Sequence, residues 1–290
     1  MTEIGRNAAE RVLSLPGRAG VGLVVAWGAA TDIGRRRNHN EDSLIAESPM
    51  FAVADGMGGH AAGDVASAAV VARLAEAVVS DFTQVEAIDH ALHAATEDIG
   101  QAADEKSLGV GTTVTGAALT IQEGDPYWTV FNVGDSRVYL FEHNELTQVT
   151  TDHSVVQELV AAGLIRAEDA DSHPESNVIT RAVGFNAEPR TDFWAVPARK
   201  GMRLLLCSDG LTKEIDDEHI RMHLAAGLTP LETAEALVDA ALASGGRDNV
   251  TTIVVDVVES TGLTDLEDTA PRARMAGPRT GARKTGLTST

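Results

Sequence analysis

An α+β fold, in which antiparallel sheets pack together and helices lie outside them, is predicted for this chain of 290 residues. Segments with strand character follow one another in groups, and segments with helical character come in pairs. A parallel, doubly wound sheet would instead alternate strand and helix along the chain. A hydrophobic content of 43% is normal for a globular protein. The sequence therefore predicts sheet-on-sheet packing with an outer layer of helices.

The amino-terminal part of the chain carries three predicted strands and two predicted helices. Residues 1–22 are mostly polar or small and show no clear period, so we expect a flexible lead-in. Short apolar runs predict strands at 23–30, 43–47 and 50–54. Apolar side chains recur at helical spacing in two longer segments, 61–82 and 84–104.

The middle of the chain is rich in β-branched and aromatic residues, which favour strands. Four strands are predicted there, at 111–121, 127–133, 137–142 and 145–150. Gly134-Asp135-Ser136 indicates a hairpin between the second and the third of them. A helix fits 154–162, and the polar, irregular residues 163–177 indicate a mobile surface segment.

The carboxyl-terminal part carries further predicted strands and helices, followed by a segment without a regular pattern. Strands are predicted at 178–183, 191–196, 202–208 and 250–258, and helices at 216–225 and 230–243. The last twenty residues hold four Arg, one Lys and no acidic residue, with many Gly, Pro and Thr. We expect a disordered basic tail over 260–290, which leaves 23–259 as the folded domain.

Net charge and cysteine content restrict the partners and the compartment. The chain has 43 acidic and 23 basic residues, and its formal net charge of −20 repels nucleic acid and anionic membranes. No apolar run reaches the roughly 18–20 residues of a membrane span. The only cysteine, Cys207, excludes an intrachain disulfide, as is usual in a reducing compartment. We therefore expect a cytoplasmic protein without a membrane anchor, and we expect a monomer.

Four aspartates stand at turns beside apolar strands. The stretches that contain them are FAVADG (Asp55), FNVGDS (Asp135), LLLCSDG (Asp209) and GGRDNV (Asp248). Each alone is common in a turn, but together they indicate carboxylates that converge on one rim of a sheet. Carboxylates a few ångströms apart repel unless cations lie between them, and hard oxygen ligands favour Mg²⁺ or Mn²⁺. Two such ions about 3.5–4 Å apart are typical of hydrolytic phosphoryl transfer.

A polar cluster, RRRNHNED, precedes the second predicted strand. It places Arg37 five residues before Asp42, with Asn40 and Glu41 between them. A guanidinium fork suits a phosphate group because it donates two parallel hydrogen bonds. Residue types alone favour the simpler interpretation, in which Arg37 is one of three surface arginines in a loop.

Several motifs occur together in one order between about residues 25 and 257: RRRNHNED, VADGMGGHAAGD, GTTVTGAAL, NVGDSRVYL, TTDHS, NVITRAVG, LLLCSDGL and GGRDNVTTIVV. As a set they resemble the metal-dependent protein phosphatases (PPM, the protein phosphatase 2C type) in their bacterial form. The resemblance implies a four-layer α-β-β-α sandwich, with two antiparallel sheets flanked by helices and a metal centre at one edge. It implies a hydrolase of signalling that removes phosphate from phosphoserine and phosphothreonine in proteins through a metal-activated water. Its partners would be phosphorylated proteins, including the Ser/Thr kinases that it opposes.

The resemblance also implies metal ligands at particular positions. Asp55 falls where a carboxylate bridges two ions of Mn²⁺ or Mg²⁺, and Gly56 falls where a backbone carbonyl binds the second ion. Asp209 and Asp248 match the ligands of the first ion. Asp135 matches the residue that, with Asp209, helps to hold a third ion in bacterial members.

Roles beside the metals follow from the same resemblance. Arg37 matches the arginine that grips the substrate phosphate. Glu41 matches an acidic residue near the second ion, with Asp42 beside it as a ligand or as an acceptor for metal-bound water. Met57 stands where animal-type members carry a histidine proposed as general acid, so His60 is a candidate proton donor here. Water on a third ion is the alternative donor.

Residues 155–185 match the mobile flap of the bacterial members, and His153 just before them is expected to be structural.

Two other functions compete with the phosphatase. Residues 56–61 fit G-x-G-x-x-A after a strand and before a helix, which is typical of dinucleotide binding. Against it, Asp55 would place a carboxylate beside the pyrophosphate. The second is a pseudophosphatase that only binds phosphoproteins, which lost metal ligands would favour; every expected ligand position is filled.

Overall fold

The structure is a computed structural model, and it describes residues 1–18, 22–58, 62–102, 109–170, 172–185, 188–260 and 272–275. Two sheets pack face to face, and helices cover the outer face of each sheet. This is the α+β, four-layer architecture that the sequence and the family resemblance predict.

The strands, in chain order, are β1 (Glu3–Gly5), β2 (Ala8–Ser14), β3 (Gly22–Asp32), β4 (Asp42–Glu47), β5 (Met50–Met57), β6 (Gly111–Thr112), β7 (Val114–Gln122), β8 (Asp125–Val133), β9 (Arg137–Glu142), β10 (Glu145–Gln148), β11 (Asp192–Pro197), β12 (Arg203–Cys207), β13 (Val250–Ser260) and β14 (Arg272–Met275). The helices are α1 (Ala62–Glu76), α2 (Val85–Ala102), α3 (Val155–Ala161), α4 (Asp209–Thr212), α5 (Asp217–Leu224) and α6 (Pro230–Ser244). A single 3₁₀ turn follows α3 at Ala167–Asp169.

The order of the strands places β5 inside an antiparallel sheet. Over the described residues the first sheet runs β1-β4-β5-β7-β8-β11-β14, with β6 paired to β5, and the second runs β10-β9-β12-β13-β3-β2. Neighbouring strands are antiparallel except β1 and β4, which run parallel. Because β5 lies between the antiparallel strands β4 and β7, it does not open a parallel βαβ unit. The dinucleotide-binding alternative therefore does not fit.

Buried apolar side chains fill the space between the four layers. The cluster between the sheets includes Trp27 of β3, Phe51 of β5 and Trp128 of β8, whose neighbouring ring centroids lie 5.3 and 5.9 Å apart in edge-to-face pairs. Such pairs contribute beyond their buried area. A second cluster packs α1 and α2 against the first sheet, and a third packs α4, α5 and α6 against the second. This packing fixes how the two sheets lie relative to each other.

The expected flexible lead-in over residues 1–22 contains two strands instead. β1 pairs with β4, and β2 pairs with β3 at the edge of the second sheet. Leu13 and Leu15 are buried in the cluster between the sheets. The partners that satisfy these backbone hydrogen bonds come from distant parts of the chain, so the segment itself shows no period that would reveal them.

The predicted hairpin at Gly134-Asp135-Ser136 is wrong. β8 belongs to the first sheet and β9 to the second, so these three residues carry the chain from one sheet to the other. Gly134 has φ 116°, where side chains are rarely tolerated, and an added Cβ would lie 2.6 Å from the side chain of Thr113. The sequence indicates the sharp turn correctly, but it does not indicate which strand β9 pairs with.

The predicted strand over 178–183 is also wrong. The described residues there form two isolated bridges, one between Ser154 and Ile179 and the other between Thr112 and Val183. These bridges tie the segment that resembles the flap to the start of α3 and to β6. The predicted helix over 154–162 is α3, whereas α4 has only one turn and is not predicted.

Four residues of the expected disordered tail, Arg272–Met275, form β14 and pair antiparallel with β11. An open sheet edge accepts an extended segment through its backbone groups, whatever the composition of that segment. The remaining residues after Ser260 lie outside the described residues. Within the described ranges, none of the helices is both long and apolar enough to cross a membrane.

Candidate metal centre and active site

The predicted aspartates meet at one edge where the two sheets face each other. Asp42 begins β4 and is paired in register with Asp55 near the end of β5. Asp209 is the first residue of α4, directly after β12 and Ser208, and Asp248 lies two residues before β13. The first sheet and the second sheet thus each contribute two carboxylates.

Electrostatics show that these carboxylates act on one another. Burial raises the pKa of Asp55 well above its ordinary value, and the charges of Asp42, Asp209, Asp135 and Asp248 raise it further. Burial likewise raises the pKa of Asp135 to about 7, and the charge of Asp209 adds to this rise. Such a cluster of mutually repelling carboxyl groups is stabilised by cations.

The donor chemistry of the cluster fits hard divalent ions. Asp42 and Asp209 each have a buried Oδ1 atom for which the structure gives no hydrogen-bond partner. Carboxylate and backbone oxygens are the ligands that Mg²⁺ and Mn²⁺ prefer. Among the described residues, no group of three or more His, Cys, Asp or Glu side chains lies in an arrangement that could itself hold a metal ion. The fit therefore rests on the unpaired oxygens and on the accumulated negative charge.

The backbone around Asp55 and Gly56 is fixed by close packing. Asp55 donates its N–H to Thr113 Oγ1 at 3.1 Å, and its carbonyl accepts from Thr112 Oγ1 and from the Thr113 N–H, both at 2.9 Å. A Cβ added to Gly56 would lie 2.7 Å from the carbonyl oxygen of Glu41 and closer still to the backbone of Gly63 in α1. Only glycine permits this close approach of Gly56 to α1 and to the backbone of Glu41.

Asp42 joins the two sheets through one buried oxygen. Its Oδ2 accepts hydrogen bonds from Ser208 Oγ at 2.9 Å and from Thr251 Oγ1 at 2.6 Å. Burial raises the pKa of Asp42 to about 7, the charges of Asp209 and Asp248 add to the rise, and the two hydroxyl hydrogen bonds oppose it. Sequence reasoning identified Asp42 but not its two hydroxyl partners.

Arg37 lies at the rim, paired with a predicted metal ligand. Its guanidinium donates to Asp248 Oδ2 at 2.6 Å, and 49% of its side chain is exposed. The hydrogen bond that Arg37 donates to Asp248 accordingly raises the pKa of Arg37. The guanidinium of Arg37 thus lies beside the carboxylates and is open to solvent.

Asn249, which sequence reasoning missed, holds the loop that carries Arg37 and Glu41. Its Nδ2 donates to the carbonyls of Ile33 and His39 at 2.9 and 3.0 Å, and its Oδ1 accepts from the Glu41 N–H at 2.9 Å. Its place directly after Asp248 in the sequence GGRDNV was an available signal. Asn249, directly before β13 of the second sheet, therefore positions the backbone of Glu41, and the charge of Glu41 acts on Arg37.

Lys213 and Glu214 are two further residues that sequence reasoning missed. The ammonium of Lys213 donates to Asp209 Oδ2 at i,i+4 spacing. Burial acts to lower the pKa of Lys213, but the carboxylates of Asp209 and Asp135 raise it above its ordinary value. Glu214 accepts from the backbone N–H and from Nε of Arg247, at 2.8 and 2.9 Å, and so holds the loop that carries Asp248.

His153, which is expected to be structural, is buried and forms hydrogen bonds at the turn after β8. Its Nδ1 accepts from the Gly134 N–H at 3.1 Å, and its own N–H donates to the Gly134 carbonyl at 2.9 Å. Its Nε2 lies 3.1 Å from Asp192, to which Arg181 also donates at 3.1 Å. These contacts fix the turn that carries Asp135. The candidate proton donor, His60, lies outside the described residues.

Comparison with known proteins decides the family. A family model described as "Protein phosphatase 2C" matches residues 35–244. The chain belongs to the protein phosphatase 2C family. The fold, the motif order and the carboxylate edge described above are thus those of a family member.

Two similar proteins are named serine/threonine phosphatases. The chain is 43% identical over 248 residues to the serine/threonine protein phosphatase PstP of Mycobacterium tuberculosis, a match that covers 83% of this chain. That match spans 46% of the relative, so the chain corresponds to about half of its length. It is 38% identical over 239 residues to the serine/threonine phosphatase stp of Listeria monocytogenes, covering 78% of this chain and 93% of the relative.

Solved structures agree with the fold. A crystal structure of the catalytic domain of PstP in complex with two manganese ions superposes with a TM-score of 0.72 at 38% identity. The superposition covers 82% of this chain and 100% of the other. The similarity extends over the whole domain rather than over the metal-binding motifs alone.

Proposed function

We propose that this chain is a metal-dependent protein serine/threonine phosphatase that hydrolyses phosphoserine and phosphothreonine in proteins. The observation that carries the proposal is the set of carboxylates from both sheets that meet at one edge in a member of this family. Asp55 and Gly56, with Asp209 and Asp248, would hold two Mn²⁺ or Mg²⁺ ions there. Glu41, Asp42 and Asp135 complete the set of acidic residues.

The chain's own residues supply position and charge. Bound ions of this kind lower the pKa of a water molecule and neutralise the phosphate. Asp42 and Asp55 bring negative charge to that place, because their neighbouring strands hold them in register. Arg37 is placed to bind the phosphate oxygens in a bidentate manner once a substrate competes with Asp248 for its guanidinium. Because 49% of the Arg37 side chain is exposed, a phosphorylated side chain on a protein surface would be able to reach it.

Partners and compartment belong to the same proposal. Phosphorylated proteins, among them Ser/Thr kinases that the enzyme opposes, would be the substrates. The net charge of −20 disfavours nucleic acid as a partner, and we place the action of the enzyme in cytoplasmic signalling.

The deciding experiment measures hydrolysis of p-nitrophenyl phosphate and of a phosphothreonine peptide with Mn²⁺ and with EDTA. Asp209→Ala should abolish turnover, because it removes a carboxylate that faces the ions. Asp81→Ala is the matched control, since Asp81 is an exposed partner of Arg11 on another part of the chain. Turnover in EDTA, or full activity of Asp209→Ala, would contradict the mechanism.

His60 is proposed as the proton donor to the leaving oxygen. General acid catalysis typically contributes about 10²–10⁴-fold, and it matters most for a poor leaving group such as the threonine alkoxide. His60→Gln should therefore slow the phosphothreonine peptide much more than p-nitrophenyl phosphate. Equal slowing of both substrates would assign His60 another role.

A further inference from the structure

We propose that the ammonium group of Lys213 takes the place, between Asp209 and Asp135, of the third cation that the family resemblance implies. The chain would then work with two metal ions. This inference rests on the proposed function and deepens it, because it assigns the number of ions and names the residue that sets this number.

The single turn of α4 fixes the position of Lys213. Asp209 begins the turn, and the backbone N–H of Lys213 donates to the Asp209 carbonyl at 2.9 Å. The carbonyl of Lys213 accepts from the guanidinium of Arg247 at 2.8 Å. Arg247 is in turn held by Glu214, whose side chain is 2% exposed. Both backbone groups of Lys213 are therefore engaged, and its side chain starts from a fixed point beside the acidic cluster.

The two oxygens of Asp209 have different surroundings. Oδ2 accepts a hydrogen bond from the Lys213 ammonium. Oδ1 is buried, and the structure gives it no partner. Lys213 thus neutralises one oxygen of Asp209 and leaves the other to bind a metal ion.

Asp135 completes the place that the third cation would occupy. Only 8% of Asp135 is exposed, and its charge and that of Asp209 act on each other. The charge of Lys213 stabilises the ionised form of Asp135 and so opposes the effects of burial and of Asp209 on its pKa. A divalent ion bound by these two carboxylates would lie beside the ammonium, and like charges repel. The ammonium and a third metal ion therefore exclude each other.

The test counts bound Mn²⁺ ions on the full chain by native mass spectrometry and by titration calorimetry. Lys213→Met removes the charge and keeps most of the length of the side chain. Lys200→Met is the matched control, because Lys200 forms an exposed ion pair with Glu259 at 2.7 Å on another loop. Wild type and Lys200→Met should bind two ions, and Lys213→Met should bind three, with an affinity for the third at least about tenfold above any residual binding of a third ion by wild type. The same count and the same affinities in all three proteins would overturn the inference.

Asp135→Asn gives a second measurement, which decides the matter should Lys213→Met not fold. In the otherwise unchanged chain, Asp135→Asn should leave the number of bound Mn²⁺ ions at two, because no ion depends on Asp135. If wild type binds three ions and Asp135→Asn binds two, the inference is overturned. In the Lys213→Met background, Asp135→Asn should return the count from three to two.

Hydrolysis of p-nitrophenyl phosphate by the wild type is measured on the same samples. A chain that binds two ions without hydrolysis contradicts the proposed function and leaves the ion count standing. A chain that hydrolyses and binds three ions contradicts the inference alone, and one that binds no Mn²⁺ contradicts both.

Discussion

Replacing Gly56 by alanine places a Cβ atom where the backbones of two neighbouring segments already lie. The added atom would lie closest to the carbonyl oxygen of Gly63, and it would be 2.5 Å from the carbonyl carbon of Gly63 and 2.7 Å from the carbonyl oxygen of Glu41. Real Cβ atoms keep at least 3.0 Å, so these contacts must open by 0.5 and 0.3 Å, the differences from 3.0 Å. Because Gly56 follows Asp55 and Glu41 precedes Asp42, this opening moves two carboxylates of the site apart.

The magnitude follows from the size of that displacement. Overpacking of a close contact lowers the free energy of unfolding by about 1–3 kcal/mol. A misplacement of about 1 Å in an active site costs about 100-fold in rate. A displacement of at least about half that size, since the carbonyl oxygen of Gly63 must move further still, should lower kcat/KM for p-nitrophenyl phosphate by about tenfold or more.

Urea unfolding and steady-state kinetics at saturating Mn²⁺ measure the two effects of Gly56→Ala. Gly100→Ala is the matched control, because a Cβ added at Gly100 in α2 meets nothing within 4 Å. It should raise the free energy of unfolding by about 0.5–1 kcal/mol and leave kcat/KM unchanged. Wild-type kcat/KM and stability in Gly56→Ala, together with the expected control, would refute the argument that close backbone packing builds the site.

Three further predictions concern the same edge. Above pH 7, where Asp42 is ionised, Thr251→Val removes its 2.6 Å hydrogen bond and should cost about 1.5–3 kcal/mol in urea unfolding. Thr252→Val is the control, because it removes a 3.1 Å hydrogen bond to an uncharged acceptor, the Ala234 carbonyl, and it should lower the free energy of unfolding by only about 1 kcal/mol. Equal losses in the two variants would argue against an ionised Asp42. In EDTA the folded state keeps the Asp42 proton up to a pKa of about 7, whereas the unfolded chain releases it near 3.8. The free energy of unfolding of the wild type should therefore fall relative to Asp42→Asn as the pH rises between these values, and parallel pH profiles would contradict the raised pKa. Mn²⁺ at 100 times its dissociation constant should raise the free energy of unfolding by about 2.7 kcal/mol for one site, and a thermal melt that Mn²⁺ does not shift would contradict binding to the folded state.

The sequence predicts the convergence of the aspartates because apolar strands fix where the chain leaves the core. Asp55 lies near the end of the buried run of β5, and Asp209 directly follows β12 and Ser208, so their places at a sheet edge follow from local pattern. Lys213 was missed for a physical reason: α4 has four residues, too few to show a helical period. The i,i+4 spacing of Asp209 and Lys213 was the signal that a search for ion pairs would have found.

The local sequence pattern does not reveal which distant segments contact each other. Gly134-Asp135-Ser136 has the composition of a hairpin, yet β8 and β9 lie in different sheets. What fixes this turn is His153, whose backbone and ring both bond to Gly134 from 19 residues further along the chain. The pairing of β2 with β3, and the hydroxyl partners of Asp42, depend on distant residues in the same way.

Asp42 shows how the fold and the proposed metal centre depend on each other. A buried carboxyl group lowers stability unless hydrogen bonds or cations offset the loss of water. The hydroxyls of Ser208 and Thr251 offset this loss at Oδ2 of Asp42, whereas the structure gives Oδ1 no hydrogen-bond partner. A cation beside Oδ1 would offset the remaining cost of burying the carboxylate. The stability of the fold and the affinity for metal therefore both depend on Asp42. Because Asp42 is also in register with Asp55, any substitution that loosens Asp42 from the second sheet should weaken metal binding together with the fold.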